Sequence, residues 1–286
     1  MSSPVSPSQK VERVWRLAHG RSLALGPRAV IMGILNVTPD SFSDGGQFAA
    51  IEHALRQAER MAAEGAAIID IGGESTRPGA TPVSAGEEQD RVLPVIEALA
   101  KRGDILLSID TYRAETALLA VEAGAHIVND VWGLQKDGAI ADIAASTGAG
   151  LVIMHTGRER EKLADPVEDQ FWFLRRSLEI ATKAGVSNEH IMLDPGFGFA
   201  KDVNDNIDLL ANFNKLHRLE YPLLVGTSRK RFLGEITGRE ALDRDVGTAA
   251  TSVALRLAGA AVFRVHDVAV NADALKVADA ILGRKA

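Results

Sequence analysis

The stretch Ala29-Val30-Ile31-Met32-Gly33-Ile34-Leu35-Asn36, with its counterpart Ala67-Ile68-Ile69-Asp70-Ile71-Gly72-Gly73-Glu74, decides how this chain folds. Each is a short, β-rich apolar run that gives way to polar or glycine residues, as a strand buried on both faces does. Between them Ile51 to Glu64 carries helical spacing and stops at Gly65, a residue suited to the left-handed turn after a helix. The unit is strand, helix, parallel strand.

The same unit recurs along the chain. The runs Val30 to Leu35, Ala67 to Ile71, Ile105 to Ile109, His126 to Asn129, Gly150 to Met154, His190 to Leu193, Pro222 to Val225 and Ala261 to Arg264 read as strands. Helical spacing follows in Ile51 to Glu64, Ala85 to Lys101, Arg113 to Ala123, Ala139 to Thr147, Val167 to Ala184, Asn204 to Leu216, Arg244 to Leu257 and Ala269 to Leu282. Gly65, Gly124, Gly148, Gly185 and Gly259 fall where helices should stop. Eight βα units close most readily as a single (β/α)8 TIM barrel. An open doubly wound sheet is the alternative, but the first βα turn lacks the glycine-rich dinucleotide fingerprint. No linker divides the chain, so one domain is expected over residues 11–286, preceded by a Ser- and Pro-rich disordered tail at residues 1–10. Val11 to Leu25, alternating around His19-Gly20, predicts a β-hairpin capping one end of the barrel.

Composition narrows the function. The 286 residues are 46% hydrophobic and 24% charged, as in a soluble folded enzyme. Thirty-two basic against 38 acidic residues leave a net charge of −6, which disfavours nucleic acid and acidic membrane surfaces as partners. The absence of cysteine removes disulfides, thiolate metal sites and cysteine nucleophiles, and fits a cytoplasmic setting. No apolar window is long enough for a membrane span, and the N-terminus lacks the pattern of a signal peptide.

In such a barrel the C-terminal strand ends converge on one mouth. Here they carry Asn36, Gly72-Gly73-Glu74, Asp110, Asn129-Asp130, His155, Asp194, Ser228-Arg229-Lys230, and Arg264 with His266. Taken singly, Asp110 and Asn129 read equally well as helix caps, Lys230 and Arg264 as solvated charge, and Met154 and Phe199 as core. Together they form two halves. Asp194 and Asp110 accept without donating and Asn129 does both, a set suited to the N–H edge of a 2-amino pyrimidine ring. Lys230, Arg264 and His266 suit a ring carbonyl and phosphate groups. Two polar, glycine- and proline-containing loops, Asn36 to Gly46 and Gly73 to Gly79, have the composition of mobile phosphate-handling loops, or of turns generally.

The segments Ile34 to Gly46, Asp70 to Gly79, Asp194-Pro195-Gly196-Phe197-Gly198-Phe199, Gly226-Thr227-Ser228-Arg229-Lys230 and Arg264-Val265-His266-Asp267-Val268 resemble, in order and spacing, the signature stretches of the dihydropteroate synthases. That family consists of folate-pathway transferases and sulfonamide targets. The resemblance implies condensation of 6-hydroxymethyl-7,8-dihydropterin pyrophosphate with p-aminobenzoate, with Mg²⁺, in a homodimer formed through the later helices. It assigns Asp110, Asn129, Met154, Asp194 and Lys230 to the pterin. Asn36, Arg264 and His266 go to the pyrophosphate, with Asn36 also at Mg²⁺. Phe42, Thr76, Arg77, Pro78, Phe199 and Ser228 go to p-aminobenzoate. Asp110, Lys230, Arg264 and His266 are the implied catalytic set.

Two departures stand out. Thr156-Gly157-Arg158-Glu159-Arg160 follows Met154-His155 in place of the family's usual loop, and Arg231 stands where a serine is common. Arg231 could pair with the substrate carboxylate or point to solvent. A pterin-binding methyltransferase domain and a non-catalytic paralogue are the competing readings. The first loop and the Ser-Arg-Lys run argue against the methyltransferase.

Overall fold

Alternation of side chains along eight parallel strands sets the architecture. The computed structural model describes residues 13–37, 46–74 and 81–284, so the tail at residues 1–10 lies outside the described residues. A two-stranded antiparallel hairpin comes first, β1 (Arg13–Arg16) against β2 (Ser22–Leu25). The barrel strands are β3 (Val30–Asn36), β4 (Ile68–Gly72), β5 (Leu106–Asp110), β6 (Ile127–Asp130), β7 (Gly150–Met154), β8 (Ile191–Asp194), β9 (Leu224–Val225) and β10 (Val262–Val265). They pair in parallel in the order β8-β7-β6-β5-β4-β3-β10-β9. Closure comes from a parallel bridge between Leu193 and Leu223, supported by the Leu193 N–H donating to the Pro222 carbonyl at 3.0 Å.

Crossover helices surround the sheet: α1 (Gly46–Glu64), α2 (Ala85–Ala100), α3 (Ala114–Glu122), α4 (Ala139–Thr147), α5 (Pro166–Lys183), α6 (Val203–Ala211), α7 (Arg231–Thr237), α8 (Asp245–Leu257) and α9 (Val268–Arg284). Ile31, Leu35, Ile69, Leu107, Val128, Leu151, Leu193 and Phe263 belong to the core shared with these helices. The opposite parity fills the barrel. Every strand contributes to an apolar floor, through Met32, Ile68, Leu106, Ile127, Val152, Met192, Leu224 and Val262, with Val30 of β3 in addition. Trp15, Leu17 and Leu25 of the hairpin segment join that floor, which places the cap at the N-terminal end of the barrel. Two residues further along the same inward face come Asp70, Asn129, Met154, Asp194 and Arg264, and four along come Asn36 and Asp110. One repeat of the pleat therefore takes the interior from oil to ions.

Several elements differ from expectation. β3, β4, β5, β6, β8 and β10 each extend one residue past the expected end. Ladder pairing is made by the backbone and continues past the apolar run whatever the side chain, into Asn36, Asp110 and Asp194 as well as into Gly72, Asp130 and Val265. The expected helix Asn204 to Leu216 breaks at Asn212, where a 3₁₀ segment, Phe213–Leu219, begins. Its amide donates to the Asp208 carbonyl at 2.9 Å, local bonding that competes with helical propagation. The short helix α7 was not read from the sequence.

Trp15 is the keystone of the floor: it is 1% exposed, its indole N–H donates to the His190 carbonyl at 2.8 Å, and its ring lies against Gly150. Trp15→Ala should destabilise the fold by about 3–5 kcal/mol in a denaturant titration. A loss below about 1 kcal/mol would mean that the hairpin is an ornament and not part of the core.

Candidate active site

Arg264 reaches across the mouth from β10. Its Nε donates to Asp70 Oδ2 and its Nη2 to Asp110 Oδ2, both at 2.6 Å. Asn129 donates to the same Asp70 oxygen at 3.1 Å. One guanidinium thus gathers strands β4, β5, β6 and β10. Burial alone would lower the Arg264 pKa, but Asp70 and Asp110 more than offset it and hold the group above its ordinary value. Burial pushes Asp110 up to about 7, with Arg264 opposing and Asp70 and Glu88 reinforcing.

The acceptors are only partly used. Asp70 Oδ1, Asp110 Oδ1 and Asn129 Oδ1 are buried without a hydrogen-bond partner among the described residues. An unmet buried acceptor costs about 1–3 kcal/mol, so three at one locus point to a ligand that donates. Asp194 lies nearby at the end of β8, 4% exposed, its Oδ1 accepting the Gly196 N–H at 2.7 Å. Burial lifts its pKa to about 6 against the pull of that bond, Lys230, Arg264 and Lys201.

The cations complete the other half. Lys230 caps the start of α7 and sets its Nζ 4.0 Å from the centroid of the Phe199 ring. Burial, helped by Arg264, lowers its pKa to about 8 while Asp194 and Asp110 resist. The turn that aims it is strained. Arg229 has φ 56°, in the left-handed region, and is held there by a paired contact to Asp245 at 2.8 and 2.7 Å. Ser228 Oγ meets His266 Nδ1 at 2.9 Å and accepts the His266 backbone N–H at 3.1 Å, joining the ends of β9 and β10.

A cleft of about 1000 Å³ opens above these groups, lined by Asn36, Asp110, Phe199, Ser228, Lys230, Arg264 and His266. Asn129, Met154 and Asp194 lie deeper, and Met154 is packed with Val131 and Phe199 in a small apolar cluster flanked by Tyr112 and Trp132. Phe42, Thr76, Arg77 and Pro78 lie outside the described residues. Sequence reasoning passed over Asp70, although a lone carboxylate on the inward face of an apolar strand was a usable signal. It also missed Lys201 and Arg158, which line the cleft from loops. Arg158 sits 4.7 Å from the Phe199 ring centroid, on the loop that departs from the family pattern. Arg231 stands at the rim of the cleft with its side chain 88% exposed, paired with Glu235 at 2.8 Å.

The C-terminal mouth of this (β/α)8 barrel thus sets buried acceptors suited to a flat N–H edge against cations. A family model described as pterin binding enzyme matches residues 32–266. The chain is 48% identical to the dihydropteroate synthase of Streptococcus pyogenes serotype M6 over 251 residues, 87% of this chain and 94% of that one. A Clostridium difficile dihydropteroate synthase structure determined in the presence of pteroic acid superposes with TM-score 0.87 at 47% identity, covering 90% of this chain and 98% of the other. The Xanthomonas albilineans enzyme with 4-aminobenzoic acid gives TM-score 0.88 at 45% identity, covering 94% and 98%. The chain belongs to the dihydropteroate synthase family and is accordingly a transferase of folate synthesis.

Asp70→Ala removes one anchor of Arg264 and the partner of the Asn129 amide. It should cost about 3–5 kcal/mol in urea denaturation and weaken pterin binding in a fluorescence titration. Unchanged stability would show that Asp110 alone holds the guanidinium. Arg231→Ala should leave the KM for p-aminobenzoate within about twofold, because an exposed ion pair contributes little.

Proposed function

We propose that this cleft condenses 6-hydroxymethyl-7,8-dihydropterin pyrophosphate with p-aminobenzoate to give 7,8-dihydropteroate and pyrophosphate. The unmet buried acceptors of Asp110 and Asn129, beside Asp194, carry the reading, since a pterin presents N–H donors along one edge. Lys230 donates to the ring carbonyl, and Met154 packs at the ring's base. Relatives with structures determined in the presence of pteroic acid or with 4-aminobenzoic acid support both substrate classes.

The chemistry is displacement at the pterin methylene carbon. The bond to the pyrophosphate oxygen breaks, the aryl amine supplies the electron pair for the new C–N bond, and the resulting ammonium sheds a proton. Asn36, Arg264 and His266 take up charge growing on the leaving group, and Asp110 faces the positive charge growing on the pterin. No protein nucleophile is needed. Phe199 and Ser228 line the p-aminobenzoate side, and Phe42, Thr76, Arg77 and Pro78 are assigned to its cover. Orientation and water exclusion then supply much of the rate.

Mg²⁺ fits this site as an ion carried mainly by the substrate. Among the described residues no group of three or more His, Asp or Glu side chains could hold a metal, and Asn36, exposed at the end of β3, offers one neutral oxygen. When bound, Mg²⁺ supplies neutralisation of pyrophosphate charge. A homodimer is part of the same reading. Leu242 on the turn entering α8, Val246 on α8 and Val277 on α9 are 77%, 80% and 60% exposed, more apolar surface than a solvated face needs. Cytoplasmic placement rests on the cysteine-free composition. Among the described residues no helix is long and apolar enough to cross a membrane.

The deciding assay supplies Mg²⁺, pterin pyrophosphate and p-aminobenzoate and follows both products. Dihydropteroate should appear in step with pyrophosphate, and Lys230→Ala and Asp194→Ala should each weaken pterin binding at least about tenfold. Pterin binding without product would favour a non-catalytic paralogue. Val246→Glu combined with Val277→Glu should give a monomer in sedimentation velocity, and an unchanged dimer would move the interface elsewhere.

A further inference from the structure

The cleft wall at Lys201 is part of a charged network with no role in the mechanism above. Lys201 follows β8 and sends its Nζ to His155 Nδ1 at 2.9 Å, to the Gly196 carbonyl at 2.8 Å and to the Phe199 carbonyl at 3.5 Å. An ammonium has three N–H donors and no acceptor, so these three oxygen and nitrogen acceptors suit it fully protonated. With Nδ1 accepting from Lys201, Nε2–H donates to Asp169 Oδ2 at 2.9 Å, and Arg160 Nη2 lies 3.0 Å from the same ring nitrogen. Asp169 in turn takes Arg160 at 2.9 and 2.5 Å and the Leu163 N–H at 2.9 Å. The loops after β7 and β8 are therefore held to each other through one lysine and one histidine.

What the lysine holds is the turn Gly196 to Phe199. Its Gly196 carbonyl also accepts the Phe199 N–H at 3.1 Å, and its Gly196 N–H donates to Asp194 Oδ1. Gly196 has φ 62°, and a Cβ there would collide with the His155 carbonyl, so this peptide has little freedom to settle differently. At one end the turn fixes the carboxylate that reads the pterin. At the other it fixes the Phe199 ring, with Lys230 4.0 Å from its centroid and Arg158 4.7 Å away.

We propose that Lys201 is a positioning residue for the condensation, holding Asp194 and Phe199 in the geometry that binds the pterin and p-aminobenzoate together. This rests on the synthase reading given above. Burial pulls the Lys201 pKa down to about 7 against Asp194 and Asp169, so the cation is kept at a cost that an apolar side chain in the same space would avoid. The loop that departs from the family pattern gains a purpose as well. Arg160 and His155 clamp it to Asp169, and Arg158 is thereby held over Phe199.

The test compares the full-length wild type with Lys201→Met and Lys201→Arg, measuring pteroic acid Kd by calorimetry, KM and kcat for both substrates, and Tm. Loss of folded protein scales kcat and leaves KM and Kd alone. The Met variant should raise pteroic acid Kd and both KM values about tenfold or more, the effect of losing a charged hydrogen-bond set, and Lys201→Arg should recover most of it. Lys201→Gln, read against the same thresholds, replaces the Met variant if that one does not fold. Kd and KM within about twofold of wild type, or an Arg variant as impaired as the Met variant, would overturn the proposal. A wild type that binds pteroic acid but makes no dihydropteroate would sink the synthase reading alone, because the Kd comparison still decides the role of Lys201.

Discussion

The Arg264 guanidinium shared between Asp70 and Asp110 is the contact on which the rest of the mouth depends. It lies inside the barrel, where a lone charge is several kcal/mol out of place and a bridged one is tolerated. By joining β10 to β4 and β5 it also fixes the distance across the mouth. Charges of both signs collect around it: Asp70, Asp110 and Asp194 against Arg264, Lys230 and Lys201. That balance keeps the interior near neutral while each group stays poised, with Asp110, Asp194, Lys201 and Lys230 all moved toward neutral pH by burial.

Below this layer the floor is apolar, and the change takes two residues. Met32, Ile68, Leu106 and Ile127 belong to one buried hydrophobic cluster, whereas Asp70 and Asn129, one pleat further on, are buried polar groups with unmet acceptors. The hairpin cap around Trp15 lets the barrel afford that polar layer, since it seals the opposite end with buried aromatic and aliphatic area. Stability is concentrated at one end and unmet hydrogen-bonding capacity at the other. Such a division is expected of a fold whose catalytic groups stand on strand ends.

The fold was largely legible because parallel strands buried on both faces show as apolar runs, and the glycine stops at Gly65, Gly124, Gly148, Gly185 and Gly259 all take positive φ. Six strand ends fall one residue beyond the expected ones because the backbone ladder continues regardless of side chain, into Gly72 and Val265 as readily as into Asn36, Asp110 and Asp194. Asn36, Asp110, Ser228, Lys230, Arg264 and His266 were legible as one site because each ends or follows a strand. Asp70 and Lys201 were not. Asp70 looked like part of an apolar strand, and Lys201 acts through contacts to His155 and Gly196 that sequence separation hides. The exposed pairing of Arg231 with Glu235 was hidden because α7 is a helix too short to show a period.

The most direct measurement is a crystal structure of the protein with 7,8-dihydropteroate. The pterin N–H edge should lie within hydrogen-bond distance of Asp110, Asn129 and Asp194, with Lys230 at the ring carbonyl and the aryl ring beside Phe199. A pterin bound elsewhere in the cleft, with the Asp110 and Asn129 acceptors still unpartnered, would contradict the assignment of the site.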